Sequence, residues 1–264
     1  MLTLAFDTAT PHGRFAVADG DRLLAYQPHN VMGSYADALL PVIDTVLQTA
    51  GHTLDEIDLV AATAGPGSFT GVRIGVATAK ALAWALGAEL AAVSTLAAMS
   101  ADLLATHADR DLAVPVLDAR RGEVFAGLYR RRGTWVEELA APACLPPDRW
   151  WDRLRDAVSD LEAPVFGGDG VALLVGQGAD LRPELAARGL PAPRSWSAVH
   201  PATARALAVA LADPDVRRSA VVSPFALVPR YLRASDAELN RRIDATPSAP
   251  AANVDIHTGG EDSK

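Results

Sequence analysis

The sequence predicts an α/β fold made of two similar halves, each with a sheet covered by helices. The first observation is a strand, a glycine-rich turn and an alanine-rich helix in direct succession at 59–86. The second is PVFGGDGVALL at 164–174, which repeats the same order. The third is a group of short strand-like segments ahead of each unit. A duplication of this kind indicates two ribonuclease-H-like halves.

The first half opens with three short apolar segments, 2–6, 14–18 and 22–27, joined by tight connections that contain glycine or proline. This spacing predicts a meander of three strands. An amphipathic helix follows at about 34–50 and ends at Gly51.

The helix after the glycine-rich turn is the most apolar of the chain. From Val72 to Leu86 only Gly75 disfavours a helix, and Gly87 is placed to end it with a left-handed cap. At 100° per residue, the side chains that face outward are those of Arg73, Ala77, Lys80 and Trp84. Because nearly every other side is apolar, the sheet alone does not account for its burial. Another helix of the same chain or another subunit can supply the cover.

A third helix is predicted at about 94–107, before the second half begins. The second half contains three strand-like segments, DLAVPVLDAR, EVFAGLYR and TWVEEL, and then the repeated glycine turn. A helix at 200–211 and an extended segment fixed by Pro224 and Pro229 complete the ordered part. The expected domains are an N-terminal lobe at 1–108, a C-terminal lobe at 109–235 and a disordered tail at 236–264.

Composition excludes several classes of protein. Half of the 264 residues are hydrophobic, yet no apolar run reaches the roughly 20 residues of a membrane-spanning helix. The start of the chain lacks the basic segment and cleavage site of a signal peptide, so we expect a cytoplasmic protein. The net charge of −8 argues against independent binding to a nucleic-acid backbone. The single cysteine, Cys144, excludes an internal disulfide and is expected in a passive loop or edge position.

The usual catalytic motifs are absent from the sequence. GPGSFTGVR has neither the spacing nor the lysine of a phosphate-binding Walker loop, and Lys80 lies too far along the helix to replace that lysine. Ser68 is not a nucleophile elbow, because Thr70 stands where that motif needs glycine. No two of the six histidines are three or four residues apart, so we expect no metal site. No catalytic residue is predicted.

A nucleotide cleft is the alternative that the sequence leaves open. Asp7 and Thr8 end the first strand, where actin-like and sugar-kinase-like folds hold a phosphate or its metal. Gly167, Gly168, Asp169 and Gly170 occupy the turn where those folds contact adenosine. Both groups also make ordinary turns, and the glycine that usually follows the aspartate is missing.

Six segments in order resemble the TsaB (YeaZ-like) family. They are LAFDTAT (4–10), GPGSFTGVRIG (65–75), VSTLAAM (93–99), LDARRGEVFAG (117–127), FGGDG (166–170) and PRYLR (229–233). The resemblance covers about 1–235 and implies a two-lobed actin-like (ASKHA) fold. It also implies a non-catalytic subunit of the bacterial machinery that makes threonylcarbamoyladenosine in tRNA, next to the anticodon.

The resemblance further implies the partners. They are a TsaD-like catalytic subunit, a TsaE-like ATPase and a second copy of the chain when it is alone, with tRNA reached only through the complex and no membrane involved. No cofactor is then required by this chain, while the complex uses ATP. The implied interface residues are Tyr35, Leu39, Val42 and Val46 on the first helix and Arg73, Val76, Ala77, Lys80 and Trp84 on the second. Tyr35 and Ala36 depart from the histidine and serine or threonine common in the family.

Two competing functions remain at this stage. The first alternative is a phosphotransferase or ATPase of the ASKHA type that uses Asp7 and the two glycine turns around a nucleotide. The second is a peptidase, for which the sequence contains neither a metal-binding histidine pair nor a serine triad.

Overall fold

Two five-stranded sheets of the same topology form the framework of the protein. The computed structural model describes residues 1–30, 35–158, 163–175, 180–189, 196–197 and 200–233. The first sheet contains β1 (Leu2–Asp7), β2 (His12–Asp19), β3 (Arg22–Asn30), β4 (Leu59–Thr63) and β5 (Glu89–Val93). The second contains β6 (Leu112–Arg120), β7 (Glu123–Arg132), β8 (Trp135–Leu145), β9 (Val165–Gly167) and β10 (Trp196–Ser197). The tail predicted to be disordered, 236–264, lies outside the described residues.

The strand order confirms the predicted duplication. The first sheet runs β3-β2-β1-β4-β5, and the second runs β8-β7-β6-β9-β10. In each sheet the first three strands along the chain pair antiparallel, and the last two join them in parallel. This is the two-lobed actin-like fold built from two ribonuclease-H-like halves. Cys144 lies in β8, which is an edge strand. An edge strand is one of the two kinds of position predicted for it.

Eight α-helices lie among the described residues. They are α1 (Tyr35–Ala50), α2 (Phe69–Leu86), α3 (Thr95–Thr106), α4 (Pro147–Val158), α5 (Val171–Val175), α6 (Leu181–Ala187), α7 (Thr203–Ala210) and α8 (Pro214–Ala220), with a 3-10 turn at Leu54–Glu56. Helices α1 and α2 cover one face of the first sheet, where they share a core with the large side chains of β1 and β2. Helices α7 and α8 cover its other face. The predicted second lobe, 109–235, therefore includes residues that pack on the first sheet.

Two predicted helix starts are wrong. Helix α2 begins at Phe69 rather than Val72, because the hydroxyl oxygen of Ser68 caps it by accepting a hydrogen bond from the Gly71 amide at 3.3 Å. Helix α7 begins at Thr203 rather than His200. The predicted end of α2 is confirmed, since Gly87 adopts a left-handed backbone with φ of 66°.

Candidate interaction surface

The glycine-rich loop 65–68 and the first turn of α2 pack against the end of β1 and so position the helix. The Ser68 amide donates a hydrogen bond to the Ala9 carbonyl at 2.6 Å, and the Thr8 hydroxyl donates one to the Gly71 carbonyl at 2.7 Å. A Cβ atom at Gly67 or Gly71 would collide with the backbone carbonyl of Ala9 or Thr8. Glycine at these positions therefore allows a backbone contact that any side chain would prevent.

The outward face of α2 is exposed and mostly apolar. Arg73, Ala77 and Trp84 lie on this face, as predicted, and Trp84 is 75% exposed. Ala81 extends the face on the side away from Lys80. Lys80 itself is half-buried, because its ammonium group donates a hydrogen bond to the Leu227 carbonyl at 3.1 Å. The exposed tryptophan shares one face with exposed alanines, and tryptophan is enriched at protein–protein interfaces.

A segment without helix or strand, near the end of the described chain, covers one flank of α2. This segment, residues 222–233, is called the strap below. It starts beside β5, where the Val222 amide donates to the Leu90 carbonyl at 2.9 Å, and ends over the glycine-rich loop, where the Arg230 amide donates to the Ala64 carbonyl at 2.6 Å. The cover that the sequence assigned to another helix or another subunit thus comes, on this flank, from a part of the same chain that is not helical. The extended backbone predicted at Pro224 is wrong, because 224–226 form a turn in which the Ala226 amide donates a hydrogen bond to the Ser223 carbonyl at 2.9 Å.

Arg73 joins the strap to the start of α2. Its guanidinium lies 3.7 Å from the centre of the Phe69 ring, and that ring stacks on Tyr231 with centroids 4.7 Å apart. The Arg73 Nε also donates a hydrogen bond to the Tyr231 hydroxyl at 2.8 Å. Cation–π and hydrogen-bond contacts of this kind hold a charged side chain in one orientation at the surface.

Five side chains assigned to an interface from the sequence are buried in the chain's own core, so that assignment is wrong for them. They are Tyr35, Leu39, Val42, Val46 and Val76. The apolar side of α1, for which the resemblance implied docking, instead faces the first sheet. The exposed face of α1 carries Leu40, Asp37 and Asp44, of which the exposed leucine was not foreseen.

Tyr35 has a structural role inside the chain. Its hydroxyl donates a hydrogen bond to the Thr10 carbonyl at 2.6 Å, and its ring lies against Gly13, where a Cβ would come within 2.7 Å of the hydroxyl. Burial raises the pKa of the Tyr35 hydroxyl above its usual value. Tyr35 thus connects the start of α1 to the β1–β2 turn.

The carboxylate of Asp7 is enclosed by hydrogen-bond donors. One oxygen accepts from the Thr63 hydroxyl at 2.6 Å and the Ala9 amide at 2.8 Å, and the other accepts from the Thr203 hydroxyl at 2.6 Å. The His200 Nε2 lies 3.4 Å from that second oxygen. Burial raises the pKa of Asp7, but the contact and charge of His200 and the two hydroxyl donors outweigh it and leave the pKa below its usual value.

The candidates for a nucleotide cleft are occupied by packing within the chain. Asp7 is only 1% exposed, and the Thr8 hydroxyl donates its hydrogen bond to the Gly71 carbonyl of α2. In the second half, a Cβ on Gly168 would strike the Val116 carbonyl, and one on Gly170 would lie 2.6 Å from the carbonyl carbon of Leu117. Gly167 packs on Leu103, while Asp169 accepts a hydrogen bond from the Asp118 amide at 3.1 Å. Asp7 and Thr8 therefore pack within the chain at the end of a strand of the first sheet, and the 167–170 turn does so at the end of a strand of the second sheet.

Comparison with known proteins identifies the family. A family model described as TsaD, tRNA N6-adenosine threonylcarbamoyltransferase, matches residues 26–180, more than half of the chain. The tRNA threonylcarbamoyladenosine biosynthesis protein TsaB of Bacillus subtilis is 31% identical over 156 residues, which cover 59% of this chain and 67% of that protein. Its Escherichia coli counterpart is 38% identical over 160 residues, with the same two shares. The chain belongs to the TsaB family.

A solved structure extends the TsaB likeness over most of the chain. It is a Pseudomonas aeruginosa protein described as similar to the peptidase YeaZ, with a TM-score of 0.70 and 26% identity, covering 88% of this chain and 99% of that one. Within the described residues, no group of three or more histidine, cysteine, aspartate or glutamate side chains is placed to hold a metal ion. Over the same residues, no helix is long and apolar enough to cross a membrane.

Substitutions at two glycines of α2 can test its close contact with the end of β1. A Cβ at Gly75 would collide with the hydroxyl oxygen of Thr8, whereas a Cβ at Gly71 would collide with the Thr8 backbone. We expect Gly75→Ala and Gly71→Ala each to lower the free energy of unfolding by about 2 kcal/mol or more. Adding Thr8→Ala should recover part of the loss for Gly75→Ala and none for Gly71→Ala. Urea unfolding of the single and double variants measures this, and equal rescue at both glycines would contradict the geometry.

Proposed function

We propose that the chain is the accessory subunit of the complex that transfers a threonylcarbamoyl group to adenosine next to the anticodon of tRNA. It acts by pairing with a TsaD-like catalytic subunit, and catalysis resides in that partner. Membership of the TsaB family supports a role in tRNA threonylcarbamoyladenosine biosynthesis. The observation that carries the pairing is the exposed apolar face of α2, with Trp84 and Ala77 on it.

The similarity between this chain and TsaD proteins supports that partner. The matched region, 26–180, contains both α1 and α2, so a TsaD-like subunit carries a related pair of helices. Two related surfaces can pair about a pseudo-twofold axis, with α1 of each subunit against α2 of the other. The charges suit this arrangement, because Asp37 and Asp44 are exposed on α1 while Arg73 and Lys80 lie on α2.

Three further partners belong to the proposal, namely a second copy of the chain, a TsaE-like ATPase and tRNA. A second copy of the chain offers the same two helices, so we propose a homodimer for the isolated protein. A TsaE-like ATPase joins the complex and tRNA is reached through the partners, in keeping with the net charge of −8. This chain needs no cofactor of its own, and ATP is consumed elsewhere in the complex. The enclosed carboxylate of Asp7 supports this proposal, because its oxygens already accept hydrogen bonds from the chain.

Size-exclusion chromatography with light scattering, on the chain mixed with the TsaD-like subunit of the same genome, tests the proposal. We expect one complex with both subunits, and tRNA modification in a reconstituted mixture that stops when this chain is left out. The chain alone should give no modified nucleoside by mass spectrometry. Elution of two separate proteins, or modified tRNA without this chain, would contradict the proposed role.

A further inference from the structure

The strap holds two large apolar side chains out into solvent beside α2. Phe225 is 87% exposed and Val228 is 69% exposed, whereas Leu227 between them is buried in the core of the first half. The Leu227 carbonyl accepts the hydrogen bond from Lys80 on α2. Phe225 and Val228 are thus two residues before and one residue after the carbonyl that contacts α2, so both exposed side chains project from the segment that packs on this helix.

The strap is fixed in place before any partner binds. Backbone hydrogen bonds join its start to Leu90 and its end to Ala64, and Tyr231 is held by Arg73. Side chains that project from a fixed backbone lose less conformational entropy on binding than those on a loose loop. Phe225 and Val228 have the features expected of anchors in a protein interface, namely size, apolar character and a rigid base.

We infer that the strap is a third element of the docking surface and that Phe225 and Val228 contact the TsaD-like catalytic subunit. This inference rests on the proposed function. One feature favours that occupant over a second copy of the chain. The helices lie within the region that matches the TsaD family, 26–180, while the strap lies outside it. Specificity between related partners requires a part that is not shared, and the strap is such a part beside α2.

The double variant Phe225→Ser/Val228→Ser tests the inference. Both side chains are exposed, so the thermal midpoint should stay close to that of the wild type. The dissociation constant with the TsaD-like subunit, measured by calorimetry, should rise roughly tenfold or more. Leu173→Ser is the matched control, because Leu173 is 40% exposed on α5, which packs on the second sheet. Its dissociation constant should match the wild type.

A second measurement does not depend on weakened binding. A photoreactive benzoylphenylalanine in place of Phe225 should crosslink to the TsaD-like subunit on irradiation, and one in place of Leu173 should not. An unchanged dissociation constant for the double variant without a crosslink overturns the inference and leaves the proposed function standing. Weaker self-association with unchanged affinity for the TsaD-like subunit also overturns it. If the wild-type chain does not bind that subunit, both the inference and the proposed function are wrong.

Discussion

Ala77→Glu is expected to leave the fold intact and to abolish pairing with the TsaD-like subunit. Ala77 lies near the centre of the exposed face of α2, and glutamate is a good helix former, so stability should change by no more than about 0.5 kcal/mol. In the complex, however, the carboxylate would be buried without a partner. That costs about 3 kcal/mol or more, which raises the dissociation constant at least roughly 100-fold. Calorimetric titration of the variant measures the effect.

Two further variants make the Ala77 result interpretable. Ala105→Glu changes an exposed alanine of α3, outside the proposed docking surface, and should pair like the wild type. Val76→Glu is next in sequence to Ala77, but Val76 is only 3% exposed and belongs to the core, so this variant should fail to fold. Normal pairing by Ala77→Glu would show that α2 is not the docking element.

The contrast between Val76 and Ala77 shows what helical periodicity can and cannot predict. The periodicity of α2 correctly predicted that Arg73, Ala77 and Trp84 face outward. It did not predict which flank the chain itself covers, and the flank with Val76 proved to be part of the core. On α1 the family resemblance implied an interface for four side chains that face the first sheet instead. A pattern shows which residues share a face, whereas the neighbour that meets the face depends on long-range contacts.

The fold was predictable because its signals are local. Each half contains a strand, a glycine turn and a helix in sequence, and the pairing of neighbouring strands follows from short connections. The strap had only Pro224 and Pro229 as local signals, which predicted an extended backbone and gave neither the turn at 224–226 nor the position of the segment. Its place over α2 depends on contacts such as that between Arg73 and Tyr231, which are separated by 158 residues along the chain.

The surroundings of Asp7 could not be predicted for a related reason. An aspartate followed by hydroxyl residues at the end of the first strand is compatible with an ordinary turn, and it also left a phosphate site open as an alternative. The residues that satisfy the carboxylate, Thr63 and Thr203, are 56 and 196 residues away in the sequence. No local pattern relates them to Asp7, so the sequence could not show that the site is already filled.

Asp7→Ala is expected to lower the free energy of unfolding by about 3–5 kcal/mol at pH 7, a large part of the total for a typical domain. The variant removes the acceptor for the hydroxyls of Thr63 and Thr203 and leaves these buried donors without it. Thr203→Val removes one donor and should cost about 1–2 kcal/mol. Guanidinium unfolding followed by circular dichroism measures both losses.

The pH dependence of stability separates this structural role from nucleotide binding. Because the pKa of folded Asp7 is lowered from 3.8, its ionisation stabilises the native state above about pH 4. This contribution is lost as the pH falls below 3.8 towards the folded pKa. The difference in stability between the wild type and Asp7→Asn should therefore shrink as the medium is acidified from pH 5 to below pH 3. A constant difference, together with magnesium ATP binding that disappears in Asp7→Asn, would instead assign Asp7 to a nucleotide site. The hydrogen bonds from Thr63, Thr203 and the Ala9 amide favour the first outcome, because a phosphate or its metal would have to displace them.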